Sequence, residues 1–142
     1  MTGCPDTNVW LEWSRAGRAP FDSLSGRWRV VLATVVLQEM WAGLRSAEER
    51  RYVERLHALA ARHRRVLNPP AAAWVLSGQA LGLLRTRGFA PARLRALRND
   101  VLLAATAFAY RATVLTRNIA DFRLVASVLP VRFVSPPQVV DR

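Results

Sequence analysis

Hydrophobic and polar positions along this chain follow two periods, and the places where one gives way to the other separate strands from helices. Met1 to Pro5 reads as a short first strand. Trp28 to Ala33 gathers β-branched and large apolar side chains after the Ser25-Gly26 break and predicts a second strand. Thr34 fits a helix N-cap, and from Val35 to Arg45 the residues Leu37, Met40, Trp41 and Leu44 recur at i, i+3, i+4 and i+7, on one helical face. Ala47 to Arg65 predicts an amphipathic surface helix, with Tyr52, Val53, Leu56, Leu59 and Ala60 striped against a charged back.

After Val66, Leu67 and the Pro69-Pro70 break, Ala71 to Arg85 predicts a helix ending near Gly88, and Pro91 to Arg98 a shorter one. Asn99 caps a helix from Asp100 to Tyr110 that is apolar all round after its first residue, and so belongs in the middle of the fold. Thr113 to Thr116 predicts a strand, Asn118 to Val125 a helix, and Val131 to Val134 a last strand before Pro136-Pro137. Strands alternating with helices imply an α/β fold, a three-layer α/β/α sandwich around a central, mostly parallel sheet. The 142 residues, 51% of them hydrophobic, suit a single domain over 1–142.

Charge narrows the partners. There are 21 basic residues against 10 acidic ones, a net charge of +11, which attracts polyanions and puts nucleic acid first among candidate partners. All the basic residues are Arg, a pattern that fits either forked phosphate contacts or a GC-rich coding bias. The single cysteine, Cys4, excludes an internal disulfide, no apolar run reaches the roughly 18 residues that span a bilayer, and Met1 to Arg15 lacks a signal-peptide pattern. A cytoplasmic protein with no membrane partner is expected.

In open parallel sheets, ligands bind beyond the carboxyl ends of the strands, where residues that immediately follow strands can meet. Asp6 follows the first predicted strand, Asp100 opens the apolar helix, Asp121 lies one turn into the helix after Thr113 to Thr116, and Glu39 sits on the helix after Trp28 to Ala33. Ala42 and Gly43 beside Glu39 leave room for close approach. Carboxylates about 5 Å apart repel by roughly 3 kcal/mol at an effective dielectric near 20, so convergence of these acids requires a bound cation or a proton. An all-oxygen donor set selects Mg2+ or Mn2+ rather than zinc, and the two His residues lie apart on the Arg-rich helix. Each acid also has a plainer role: Asp6 and Asp100 as turn or helix-start residues, Asn118 with Asp121 as a capping pair, Glu39 as a solvated helix charge.

Four segments in order, Asp6 to Trp10, Glu39 with its neighbours Leu37 to Met40, Asn99-Asp100 before Leu103 to Ala107, and Thr116 to Phe122, resemble the PIN-domain nucleases and, among them, the VapC-type toxins. The likeness runs through nearly the whole chain, with residues 46–95 offering only compatible helices. It implies a PIN-like fold and an endoribonuclease that requires Mg2+ or Mn2+, is usually a homodimer, and is held inactive by a co-expressed antitoxin. By position, Asp6, Glu39, Asp100 and Asp121 match the family's acidic residues, with Asp6, Asp100 and Asp121 as metal ligands. Thr7, Asn8, Thr116 and Asn118 match its supporting polar residues. One departure is the first strand, which is short, weakly apolar and contains Pro5, reading as a clipped strand or a poor sheet edge.

Arg98 and Arg117, each beside a proposed site residue, are candidates for RNA backbone contacts or else helix-end charges. Trp10, Trp13, Met40, Trp41 and Leu44 would either line a groove for an antitoxin segment or pack in the core. Two rival functions stand beside the nuclease: a non-catalytic nucleic-acid-binding module, which +11 explains equally well, and an inactive PIN-fold interaction protein.

Overall fold

The computed structural model describes residues 1–18, 21 and 26–136; Ser25 and Pro137, two of the turn markers read from the sequence, lie outside them. In chain order the elements are β1 (Thr2–Pro5), α1 (Thr7–Arg15), β2 (Arg29–Val30), β3 (Leu32–Ala33), α2 (Thr34–Ala42), α3 (Ala47–Arg62), β4 (Val66–Leu67), α4 (Ala71–Thr86), α5 (Pro91–Ala109), β5 (Thr113–Leu115), α6 (Ile119–Ala126) and β6 (Arg132–Val134). Four strands form a parallel sheet in the order β2-β1-β5-β6, and β3 pairs with β4, also parallel. The inner strands carry buried residues at consecutive positions, Gly3 to Pro5 and Thr113 to Leu115, because a parallel sheet is covered by helices on both faces.

β1 is not an edge. It pairs with β2 on one side and β5 on the other, with Gly3 opposite both Val30 and Thr113 and Pro5 opposite Leu115. Strand alternation turns the Pro5 nitrogen toward the β2 side, beyond Gly3, the last residue paired there. The ladder to β5 continues through the Asp6 N–H, which donates to the Leu115 carbonyl at 2.9 Å. The proline therefore leaves the ladder to β5 intact. Cys4 in this strand is fully buried, and burial pushes its thiol up to about 12.

The predicted strand from Trp28 to Ala33 divides between the two sheets. Val31 N–H donates to Gly3 O in one direction at 2.9 Å and Leu32 N–H to Arg65 O in the other at 2.8 Å, so the alternation of an extended chain hands it from one sheet to the next. Thr34 is the first residue of α2 rather than its cap, since its hydroxyl donates to Leu67 O of β4 at 3.4 Å. α2 stops at Ala42, before the expected Arg45, because Gly43 closes it.

Four helices end in the same way, α1 among them, with Gly17 at φ +68° and the Arg18 N–H donating to Trp13 O. After α4 the Gly88 N–H donates to Arg85 O and the Phe89 N–H to Leu84 O, with Gly88 at φ +93°, which is a Schellman cap. After α3 and α5 the left-handed residue is instead Arg64 (φ 53°) or Arg111 (φ 55°), with equivalent bonds from Arg65 N–H to Ala60 O and from Ala112 N–H to Ala107 O. These turns end α3 at Arg62, short of the expected Arg65, and feed the chain into β4 and β5.

The core forms one cluster, with Trp10, Leu32, Leu56, Leu84, Leu97, Leu103, Leu115 and Phe122 fully buried. Trp10 stacks edge-on to Trp13 at 5.2 Å and to Phe21 at 5.6 Å. With Met40 also buried, the proposed groove of Trp10, Trp13 and Met40 is core, and only Trp41 and Leu44 of that set keep solvent access. Among the described residues, no helix is long and apolar enough to cross a membrane.

Candidate active site

The register of β1 against β5 sets the site. With Pro5 opposite Leu115, the next residues, Asp6 and Thr116, leave the sheet side by side although 110 positions separate them. Thr116 donates its hydroxyl to Asp6 Oδ2, while its own backbone N–H is held by Val134 O of β6. Asp6 Oδ1 accepts from Val9 N–H at 3.0 Å, so the residue also caps α1. Capping α1 does not take Asp6 out of the cleft.

Asn118 caps α6, accepting from the Asp121 N–H at 3.4 Å, and its Nδ2 donates to Asp121 Oδ2 at 2.7 Å. Its backbone N–H donates to Thr116 Oγ1 at 2.9 Å, so Asn118 and Thr116 form a chain of bonds that ends on Asp6. Thr7, the first residue of α1, donates to Glu39 Oε1 of α2 at 3.1 Å. Asp100 comes from the middle of α5. These elements enclose a cleft of about 290 Å³ lined by Asp6, Thr7, Asn8, Glu39, Ala96, Asn99, Asp100, Asn118 and Asp121.

All four predicted acids and three of the four supporting residues line this cleft, and Thr116 stands directly behind Asp6. The Asp100 carboxyl is pushed up to about 7, first by burial and then by Asp6, Glu39 and Asp121, with Arg93 acting the other way. Burial raises Asp6 as well, against the lowering effect of its bonds from Thr116, Val9 and Asn8. Asp121 is held below the usual carboxylate range, chiefly by Arg93, which ion-pairs with its Oδ1.

Several details differ from expectation. Asn99 does not cap a helix: α5 runs unbroken from Pro91, which starts it at the first turn, through Asn99 to Ala109. An interior Asn costs only about 0.5 kcal/mol of helix propensity, too little to break a segment this well packed. Continuity puts Arg93, Ala96 and Asp100 at i, i+3 and i+7, one stripe, and this identifies Arg93 and Ala96 as site neighbours that a break at Asn99 hides. Arg98 is exposed on α5. Arg117 is engaged with Glu12 of α1 in a two-point ion pair of 2.8 and 3.0 Å, and it also bonds Ser135 Oγ and Pro136 O. Glu12, silent in the sequence reading, thus braces the loop that carries Asn118.

The donor set suits a hard divalent cation: oxygen ligands only, around a buried carboxyl whose proton affinity is raised by three like charges. The spacing is looser than the chemistry. Among the described residues, no three acidic, His or Cys side chains are placed to hold one ion together. Asp6 and Asp121 each have both carboxylate oxygens engaged by groups of the chain itself.

A family model for the PIN domain matches residues 4–127. The chain belongs to the PIN domain family. No curated protein matches the sequence. Among solved structures, this PIN domain is similar to VapBC2 from Rickettsia felis bound to a DNA fragment from the promoter, with TM-score 0.67, 18% identity and coverage of 95% of this chain and 98% of the other. It is similar to DNA-bound VapBC from Salmonella typhimurium, with TM-score 0.67, 18% identity and coverage of 96% and 99%. It is also similar to FitAcB from Neisseria gonorrhoeae, with TM-score 0.64, 22% identity and coverage of 96% and 98%. Together these matches establish a helix-rich PIN fold on a central parallel sheet.

Proposed function

We propose that this PIN domain, one unit over residues 1–142, is the toxin of a VapC-type toxin–antitoxin pair, an endoribonuclease that hydrolyses RNA phosphodiester bonds with Mg2+ or Mn2+. The observation that carries the proposal is the delivery of Asp6, Glu39, Asp100 and Asp121 from four separate elements to one cleft, with Asp100 raised to about 7 by burial and by the other three. Like charges gathered at such a cost in stability point to a bound cation.

Asp6, Asp100 and Asp121 are the proposed ligands, with Glu39 completing the catalytic set. When bound, the cation would acidify a water and stabilise charge on the scissile phosphate. The chain's part is orientation: Thr116 and the Val9 N–H aim Asp6, Asn118 aims Asp121, and Thr7 fixes Glu39. Asn8 also lines the cleft. Arg98, and Arg117 by exchanging its Glu12 contact, are the proposed RNA backbone contacts.

Two of the similar structures named above are VapBC complexes, VapBC being described as a family of toxin–antitoxin systems, and a cognate antitoxin is the proposed partner here, acting in the cytoplasm. A homodimer is supported by the stretch from Val66 to Leu84, which contains no charged residue in a chain of net charge +11. The outward face of α4 leaves Trp74 and Val75 each 60% exposed, with Gly78 and Gly82 open beside them. An uncharged apolar helix face is the place where two strongly basic copies can meet with least repulsion.

The test is cleavage of labelled RNA by the purified chain with Mn2+ or Mg2+, in EDTA, and with Asp100→Asn. Cleavage that requires the cation and falls by about 100-fold or more in the variant is expected; undiminished cleavage in EDTA overturns the proposal. The second reading, a non-catalytic RNA binder, is favoured by the loose spacing of the acids. It predicts RNA binding without cleavage, insensitive to EDTA.

A further inference from the structure

Both oxygens of the Asp121 carboxylate are occupied from within the chain. Arg93 Nη2 takes Oδ1, and Asn118 Nδ2 donates to Oδ2. The two contacts differ in kind. Asn118 is the cap of Asp121's own helix and makes a neutral bond that orients the carboxylate, whereas Arg93 reaches from α5 with a full positive charge. Arg93 rises from the same stripe of α5 as Asp100, and Ala96 between them has only a methyl group, which leaves the path across to α6 open. Arg93 is also the cation that offsets the three acids acting on Asp100. Its side chain is 43% exposed, so it can withdraw into water without leaving a buried charge behind.

A divalent ion that uses Asp121 Oδ1 has to displace this guanidinium, because the two are cations seeking the same oxygen. We infer that Arg93 is a resident counter-ion of the cleft, competing with the divalent cation for Asp121 and setting the concentration at which the cleft loads. The inference rests on the metal-dependent reading above. It also gives the loose spacing of the acids a cause: Asp121 is held toward α5 by Arg93 while the guanidinium stands in for the ion.

The experiment is a Mn2+ titration followed by electron paramagnetic resonance, on the full chain and on Arg93→Gln, Arg93→Lys, Asp121→Asn and the Arg93→Gln/Asp121→Asn double variant. Competition predicts that Arg93→Gln binds Mn2+ about three- to tenfold more tightly than the unaltered chain. Arg93→Lys, which keeps the charge, should stay within about twofold of it, and the gain should vanish in the Asp121→Asn background. A purely structural pin between α5 and α6 predicts equal or weaker binding in Arg93→Gln, and that result overturns the inference while leaving the metal reading intact. Absence of Mn2+ binding in every chain at millimolar ion, with each chain folded by circular dichroism, overturns both.

Discussion

Thr116 donates its hydroxyl hydrogen to Asp6 across the junction of β1 and β5, and the bond is fully enclosed by protein. A buried bond to a charged acceptor contributes about 1.5–3 kcal/mol. Thr116→Val keeps the shape and removes the donor, so it should lower the melting temperature and cut RNA cleavage at least tenfold. Thr116→Ser should restore both. Wild-type cleavage by the valine variant would remove Thr116 from the supporting set.

Asp100 gives the metal-free protein a pH-dependent weakness. Its carboxyl is near 7 in the folded chain against 3.8 as the ordinary value, so the folded state favours the protonated form. The sign follows from linkage: this contribution to stability is fully present below about pH 4 and is lost as pH rises through 7. It amounts to on the order of 4 kcal/mol. In EDTA at pH 8, Asp100→Asn should therefore melt higher than the unaltered chain, and the difference should disappear near pH 4. Cleavage should collapse at both. A variant that melts lower at pH 8 yet cuts normally would sink the assignment.

Much of this is legible in the sequence, because hydrophobic period and turn residues report local structure directly. Asp6, Asn118 and Asp121 stand next to strand ends and helix starts, where an α/β fold collects its ligand groups, whereas Glu39 and Asp100 lie inside α2 and α5. What was hidden depended on competition between distant parts. Asn99 reads as a cap in isolation, yet the burial of Val101 to Ala107 and the start set by Pro91 carry the helix through it. That single misplaced boundary concealed Arg93. Thr34 likewise reads as a cap until a strand 33 residues away offers its hydroxyl a carbonyl. The strength of β1 was invisible because it comes from neighbours on both sides rather than from its own composition.

Arg64 and Arg111 occupy left-handed positions that glycine fills after α4. A residue with a side chain pays roughly 1 kcal/mol there, partly offset by the greater unfolded-state freedom of glycine. Arg111→Gly and Arg64→Gly should each stabilise the fold by about 0.5 kcal/mol in urea melts, without changing the slope. Loss of stability in either would mean that the arginine side chain makes up for its strained backbone.

If α4 joins two copies, a charge on its outward face should part them. Val75→Arg should convert a dimer to a monomer in light scattering at tens of micromolar while leaving the melting temperature within about 2 °C at matched low concentration. A wild-type chain that is monomeric under the same conditions excludes this interface.

The sealed thiol of Cys4 makes this protein its own stopwatch. The sulfur lies in an inner strand with no exposure, and burial keeps it protonated at any ordinary pH, so a thiol reagent has nothing to attack while the sheet is closed. Labelling can proceed only when β1 parts from its neighbours, and the same event dismantles the junction that holds Asp6 beside Thr116. With one cysteine in the chain, every labelled molecule reports one opening of the end of the sheet that carries Asp6. The rate at which mass is added, followed with and without Mn2+, would measure how long the cleft survives between openings and how far a bound ion prolongs it.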